Sequence, residues 1–239
     1  MPTRDLDYRC DDVNLRGYLA WNDKAAGPRP GVLVFHEGLG LGEFAMERAR
    51  QLADLGYIAL AADMFGDRRQ ASNLQQVATL VGGLRAEPEK LRARGRAALA
   101  ALADLPEVDT SRLAAIGFCF GGSVVLELAR EGADLKAVVS FHGVLATKMP
   151  AQPGRVKASV LVLTGAEDPL APPDQVTAFE NEMREGHVRD WQVISYGNTL
   201  HGFTNPAADG SMMRTALYNE QADRRSWGAM LSLFDEVLT

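Results

Sequence analysis

The stretch Gly117-Phe118-Cys119-Phe120-Gly121-Gly122 holds one of the two cysteines in a chain of 239 residues. It follows an apolar run, Leu113–Phe118, and precedes a helical pattern. G-x-C-x-G in that setting is a nucleophile elbow, with cysteine where serine is commoner. The backbone of such a nucleophile is strained, and side chains two residues either side would collide, so glycine is required at 117 and 121. The start of the following helix favours a thiolate. A nucleophile here needs a base, and the base needs an orienting acid, which in this architecture follow in the order nucleophile, acid, base. Asp168, in Gly165-Ala166-Glu167-Asp168-Pro169 after a strand-like run, is the expected acid. His201, in Leu200-His201-Gly202-Phe203 after the next such run, is the expected base. Glu167 is the rival acid, but an Asp-Pro pair in a turn is the better-fixed carboxylate.

The loop His36-Glu37-Gly38-Leu39-Gly40 closes another strand-like run, and the backbone N–H groups of Gly38 and Phe120 are the expected oxyanion donors. Glu37 is an oddity here, because a carboxylate beside a thiolate should raise the thiol's pKa. Spacing alone gives it no role beyond that of a loop residue. His142 ends a further strand-like run and is expected to line the cleft. His36 is expected to make a structural hydrogen bond, and His187 to face solvent. No short His-x-x-x-His or Cys-x-x-Cys spacing supports a metal site, and no cofactor is expected.

These residues must be positioned by alternating elements. Gly31–His36, Tyr57–Ala62, Leu113–Phe118, Leu135–Phe141, Ser159–Thr164 and Asp190–Tyr196 read as strands. Most are near-continuous hydrophobic runs, as strands buried on both faces should be. Helical patterns lie near Phe44–Leu55, Leu91–Leu105, Val124–Arg130 and Val176–Arg184, with Pro88 and Pro172–Pro173 at helix starts. Trp227, Met230, Leu231, Phe234 and Leu238 trace an amphipathic closing helix. The first 22 residues read as a hairpin around Asp11–Asp12, Gly27–Pro30 as a turn, and Met149–Gly154 as a loop. The expectation is an α/β fold with a mostly parallel central sheet, helices on both faces, and a single domain over 1–239. Ligands bind such sheets beyond the carboxyl ends of the strands, where the residues above cluster.

Composition narrows the partners. With 46% apolar residues and a net charge of −6, the chain is expected to be globular and not to bind nucleic acid. The run Arg92, Arg94, Arg96 reads as a solvated helix face. The charged N-terminus has no signal-peptide core, no apolar run would span a bilayer, and two cysteines suggest no disulfide framework, so the cytoplasm is the expected compartment. Oligomeric state is not legible.

Together, GFCFGG, the HEG loop, GAEDP and HGF resemble the dienelactone hydrolase family of the α/β-hydrolase superfamily, over most of the chain from about Arg4 to the closing helix. The resemblance implies a cofactor-free hydrolase of small esters or lactones. It implies Cys119 as nucleophile, His201 as base and Asp168 as its orienter, acting through a thioester. It also implies a role for Glu37, holding the resting thiol and releasing it when substrate arrives. In dienelactone-cleaving members an arginine four positions after the catalytic histidine grips the substrate carboxylate. Here that position is Asn205, expected to contact substrate, so dienelactone itself is not implied. Arg68 and Arg69 are alternative sources of positive charge. An acyltransferase using the same thiol, a non-catalytic binding module on the same fold and a redox-sensing Cys119 remain as other readings.

Overall fold

The computed structural model describes residues 1–23 and 27–239. Eight strands form one sheet: β1 (Thr3–Cys10), β2 (Val13–Ala20), β3 (Arg29–Phe35), β4 (Ile58–Ala62), β5 (Val108–Phe118), β6 (Ala137–Phe141), β7 (Ser159–Gly165) and β8 (Trp191–Tyr196). Their order is β1-β2-β4-β3-β5-β6-β7-β8. The β1–β2 hairpin pairs in antiparallel fashion through Cys10 and Val13, and β2 meets β4 the same way. From β4 to β8 every pairing is parallel. The expected mostly parallel sheet with helices on both faces is the observed architecture.

The alternation of side chains along a strand sorts the core into two layers. Leu33, Phe35, Leu60, Val138 and Val162 pack on one face, against α3 (Pro88–Ala103), α4 (Phe120–Glu131) and α5 (Pro173–Glu185). Val32, Val34, Ala59, Ala61, Val139 and Leu161 pack on the other, against α1 (Glu43–Asp54) and α6 (Glu220–Val237). Burial on both faces is why the sequence shows continuous apolar runs. α3 and α5 begin at Pro88 and Pro173, where a missing N–H is harmless.

Three sequence expectations need correction. Residues 74–86, not read as an element, form α2 (Leu74–Ala86), whose Asn73 cap accepts a hydrogen bond from the Gln76 N–H at 2.9 Å. Gly27–Pro30 is not all turn, since β3 starts at Arg29. Arg92 and Arg94 are not solvated but buried. Arg92 ion-pairs with Glu127 at 2.7 Å, and Arg94 donates to the Met64 carbonyl. Glu127 also pairs with Arg130, which reaches Glu182 at 2.8 Å, so a buried charge network links α3, α4 and α5. Partners distant in sequence make this face polar yet dry, which helical spacing alone does not reveal.

Candidate active site

Cys119 sits between the last residue of β5 and the first of α4, with φ 52° and ψ −108°. A non-glycine residue in this region costs on the order of 1–3 kcal/mol, so the surroundings must over-determine it. They do. The Cys119 N–H donates to the Phe141 carbonyl at 3.0 Å and lies 3.1 Å from His142 Nδ1, and the Gly121 N–H donates to the His36 carbonyl at 3.0 Å. A β-carbon on residue 117 would stand 2.0 Å from the Gly121 carbonyl oxygen, and one on residue 121 would stand 2.2 Å from that of Phe35. Only glycine fits at either position.

His201 and Asp168 come to the same end of the sheet from the loops after β8 and β7. The His201 Nδ1–H donates to Asp168 Oδ2 at 2.8 Å, and the other carboxylate oxygen accepts the Leu170 N–H at 2.8 Å. Both side chains are buried. The backbone of His201 is pinned as well, its N–H donating to Thr215 and its carbonyl accepting from Leu217, both at 2.9 Å. On the far side of the ring, Nε2 is buried and has no hydrogen-bond partner among the described residues. The Cys119 sulfur adjoins it without meeting hydrogen-bond geometry, yet acts on the ring strongly. Burial pushes the imidazole down, but the Cys119 charge and the Asp168 carboxylate outweigh it and raise the pKa to about 10. The rival Glu167 points to solvent.

Among the described residues, neither the Gly38 nor the Phe120 N–H is taken up by another protein group. Both residues border a cavity of about 430 Å³ that Cys119, Glu37 and His201 also line. Two idle donors bordering the same cavity as the Cys119 sulfur are the arrangement an oxyanion needs. Glu37 is half-buried, and its Oε2 accepts a hydrogen bond from Asn205 Nδ2 at 2.7 Å. Burial raises its pKa, while that bond and the charges of His201 and Arg48 pull the other way. Asn205 borders the same cavity, with its amide engaged by Glu37.

His142 does not line the cleft. It is fully buried behind the elbow, with φ 41°. Burial and the charge of His201 hold its pKa well below the ordinary value, so the ring is neutral. A neutral ring that accepts from the Cys119 N–H at Nδ1 carries its proton on Nε2, which lies 2.8 Å from the Thr204 hydroxyl. Its ring also packs edge-on against His201 with centroids 5.1 Å apart. His36 is likewise buried and neutral, its Nε2 accepting the Met64 N–H at 3.2 Å, which ties the loops after β3 and β4. Arg68 is spent on the hairpin, pairing with Asp5 and donating to the Gly17 carbonyl, both at 2.7 Å. His187 is exposed.

What the sequence reading missed is the cavity's second wall. Leu74, Val77, Val81 and Arg85 of α2 line it, facing a strap of small and methionine residues from Ala207 to Met213. The signal for α2 was present: Asn73 as a cap, then Leu74, Val77, Val81 and Leu84 at helical spacing. Gly82 and Gly83 obscured it.

The dienelactone hydrolase family profile matches residues 15–238. The chain belongs to the dienelactone hydrolase family. The solved structure of m3DLH is 47% identical and superimposes with a TM-score of 0.96, covering 100% of this chain and 99% of that one. A dienelactone hydrolase-like promiscuous phosphotriesterase from metagenomic libraries is 45% identical, with a TM-score of 0.95 and coverage of 100% and 99%. A Yersinia pestis protein provisionally named a carboxymethylenebutenolidase is 28% identical over 234 residues, 93% of this chain and 84% of its own length. The family makes the protein a carboxylic ester hydrolase with the α/β-hydrolase fold, for which an ester or lactone substrate is fitting. Among the described residues no helix is long and apolar enough to cross a membrane.

Proposed function

We propose that the protein hydrolyses small esters or lactones through Cys119, His201 and Asp168, by way of a thioester and without a cofactor. The observation that carries this reading is the buried His201 ring, bonded at Nδ1 to Asp168 and left at Nε2 without a hydrogen-bond partner among the described residues, with the Cys119 charge acting strongly on it. With its pKa raised to about 10, the His201 ring holds its proton at neutral pH, and an imidazolium beside the sulfur favours the thiolate as the attacking form. The thiolate attacks the carbonyl carbon, and the oxyanion forms against the Gly38 and Phe120 N–H groups. Two such donors contribute about 3 kcal/mol or more to the barrier reduction. His201 then passes its Nε2 proton to the leaving alkoxide, giving alcohol and a thioester on Cys119.

The same electrostatics turn the acid into a base. Once the sulfur is acylated its negative charge is gone, and with it the largest influence that raised His201. The neutral ring can now take a proton from water, whose oxygen attacks the thioester. Collapse of the second oxyanion releases the acid and restores the ion pair. Glu37 accepts from Asn205, and burial favours its protonated form, which puts no negative charge into the cavity it shares with the sulfur. That arrangement is the basis for assigning Glu37 a switching role, and the domain is taken to act as one unit over 1–239.

The test is turnover of 4-nitrophenyl acetate. Wild type is expected to release nitrophenolate continuously, and Cys119→Ala to release none above background. Unchanged turnover in Cys119→Ala would remove the nucleophile. A stable acyl adduct without turnover in wild type would favour acyl transfer over hydrolysis.

A further inference from the structure

We propose that His142 is a positioning residue, a crosstie from the nucleophile elbow to the loop of the base that fixes how Cys119 and His201 meet; the inference rests on the hydrolase reading of that pair. The ring spans the two. At one edge its Nδ1 accepts the Cys119 N–H at 3.1 Å, sharing that donor with the Phe141 carbonyl at 3.0 Å. At the other its Nε2–H donates to the Thr204 hydroxyl at 2.8 Å, in the segment that leaves His201. Between these bonds the ring stands edge-on to His201, with centroids 5.1 Å apart and planes at 72°. It meets Phe203 in the same way, at 5.1 Å and 75°. One side chain thus touches the backbone of the nucleophile, the ring of the base and the turn behind the base.

Both ends of the tie are anchored. The His142 N–H donates to the Leu163 carbonyl at 2.7 Å, which holds its left-handed backbone, a conformation that histidine and asparagine adopt more readily than most residues. The Thr204 carbonyl accepts from Arg48 Nη2 at 2.8 Å, and that guanidinium pairs with Asp223 at 2.6 Å. His142 and Thr204 are fully buried, so breaking the bond between them leaves an unpaired group rather than a solvated one. A tie is needed here because His201 Nε2 has no hydrogen-bond partner among the described residues, so no such bond sets the spacing of base and sulfur. The Asp168 contact fixes Nδ1 alone, and the His142 edge limits how far the ring can swing about it. The tie works only as a neutral ring, since an imidazolium would aim an N–H at the Cys119 N–H. Burial and the charge of His201 keep it neutral. Reacting atoms tolerate little error, a displacement of about 1 Å costing on the order of 10²-fold in rate.

The experiment cuts the tie from each end. Thr204→Val keeps the branched shape and deletes only the hydroxyl. His142→Asn puts an amide oxygen where Nδ1 accepts from Cys119, suits the left-handed backbone, and deletes the ring edge and the bond to Thr204. Each is expected to lower kcat for 4-nitrophenyl acetate by about 10- to 100-fold with KM within about threefold of wild type. Thr204→Ser should restore most of that loss. The double variant should lose little more than His142→Asn alone, because both changes cut one bond. A second readout needs no turnover: alkylation of Cys119 by iodoacetamide should slow at neutral pH in both single variants, its pH profile moving upward as His201 drifts from the sulfur. A lowered melting temperature with kcat and the alkylation profile unchanged would make the contact merely structural and overturn the proposal. A raised KM at unchanged kcat, or additive losses in the double variant, would overturn it as well. Should one single variant fail to fold, the other carries the comparison with wild type. If wild type turns over no ester yet Thr204→Val still slows alkylation, the hydrolase reading fails while the tie between elbow and base stands.

Discussion

Replacing Asp168 by asparagine isolates what the carboxylate does to His201. One oxygen of Asp168 accepts from His201 Nδ1 and the other from the Leu170 N–H, both at 2.8 Å. An asparagine must keep its oxygen on one of these donors and turn its NH2 toward the other. With the oxygen on Leu170, the NH2 faces Nδ1 and is satisfied only by a neutral ring protonated at Nε2, which cannot take a proton there. With the oxygen on His201, the NH2 opposes the Leu170 N–H and the charge is lost in either case. Losing a charge-assisted bond of about 2–3 kcal/mol lowers the rate roughly 30- to 150-fold. The wrong tautomer extends the loss to as much as about 10⁴-fold, as in serine triads. Asp168→Asn is therefore expected to reduce kcat/KM for 4-nitrophenyl acetate by about 10²- to 10⁴-fold. Stopped-flow kinetics should show deacylation falling more than the acylation burst, because deacylation needs the neutral ring to accept a proton at Nε2. Circular dichroism should show an unchanged fold. A loss below about tenfold in both steps would refute the reasoning.

Other outcomes follow from the same contacts. Burial makes the folded state hold the Glu37 proton more tightly than the unfolded chain does, so wild type loses stability as pH rises through the carboxylate range. Glu37→Gln has no such loss, and its melting temperature relative to wild type should climb from about pH 4 to about pH 8; a gap that narrows would contradict the buried-carboxylate account. Gly121→Ala would press a β-carbon to 2.2 Å from the Phe35 carbonyl and should destabilise by about 3 kcal/mol or more, read by thermal melting. Gly82→Ala meets nothing within 4 Å on an ordinary helical backbone and should stabilise by about 0.5–1 kcal/mol. For an alkyl ester, whose alkoxide must be protonated, the acylation rate should decline as pH passes about 10 and His201 loses its proton.

Which features were legible in the sequence depends on whether their causes are local. The strands were legible because burial on both faces writes a continuous apolar run into each. The elbow was legible because its two glycines answer a steric demand from the backbone within the motif itself and from β3 directly beside it. Asp168 and His201 were legible as loop residues after strands, since the sheet carries its strand ends to one rim. Less was readable where the deciding contact is distant. Whether His142 points into the cavity or behind the elbow depends on Thr204, 62 residues away. Arg92 looked solvated until Glu127, 35 residues away, came to meet it. Two adjacent glycines weakened the pattern of α2, and with that helix Arg85 was overlooked.

The most direct measurement of the central claim is mass spectrometry of the protein quenched in acid during turnover of an activated acetate ester. The account predicts a mass gain of one acetyl group, mapped after proteolysis to Cys119, and more of it in Asp168→Asn than in wild type because release is slowed more than attack. Steady turnover with the acetyl group on another residue, or with none on Cys119 even in Asp168→Asn, would contradict it.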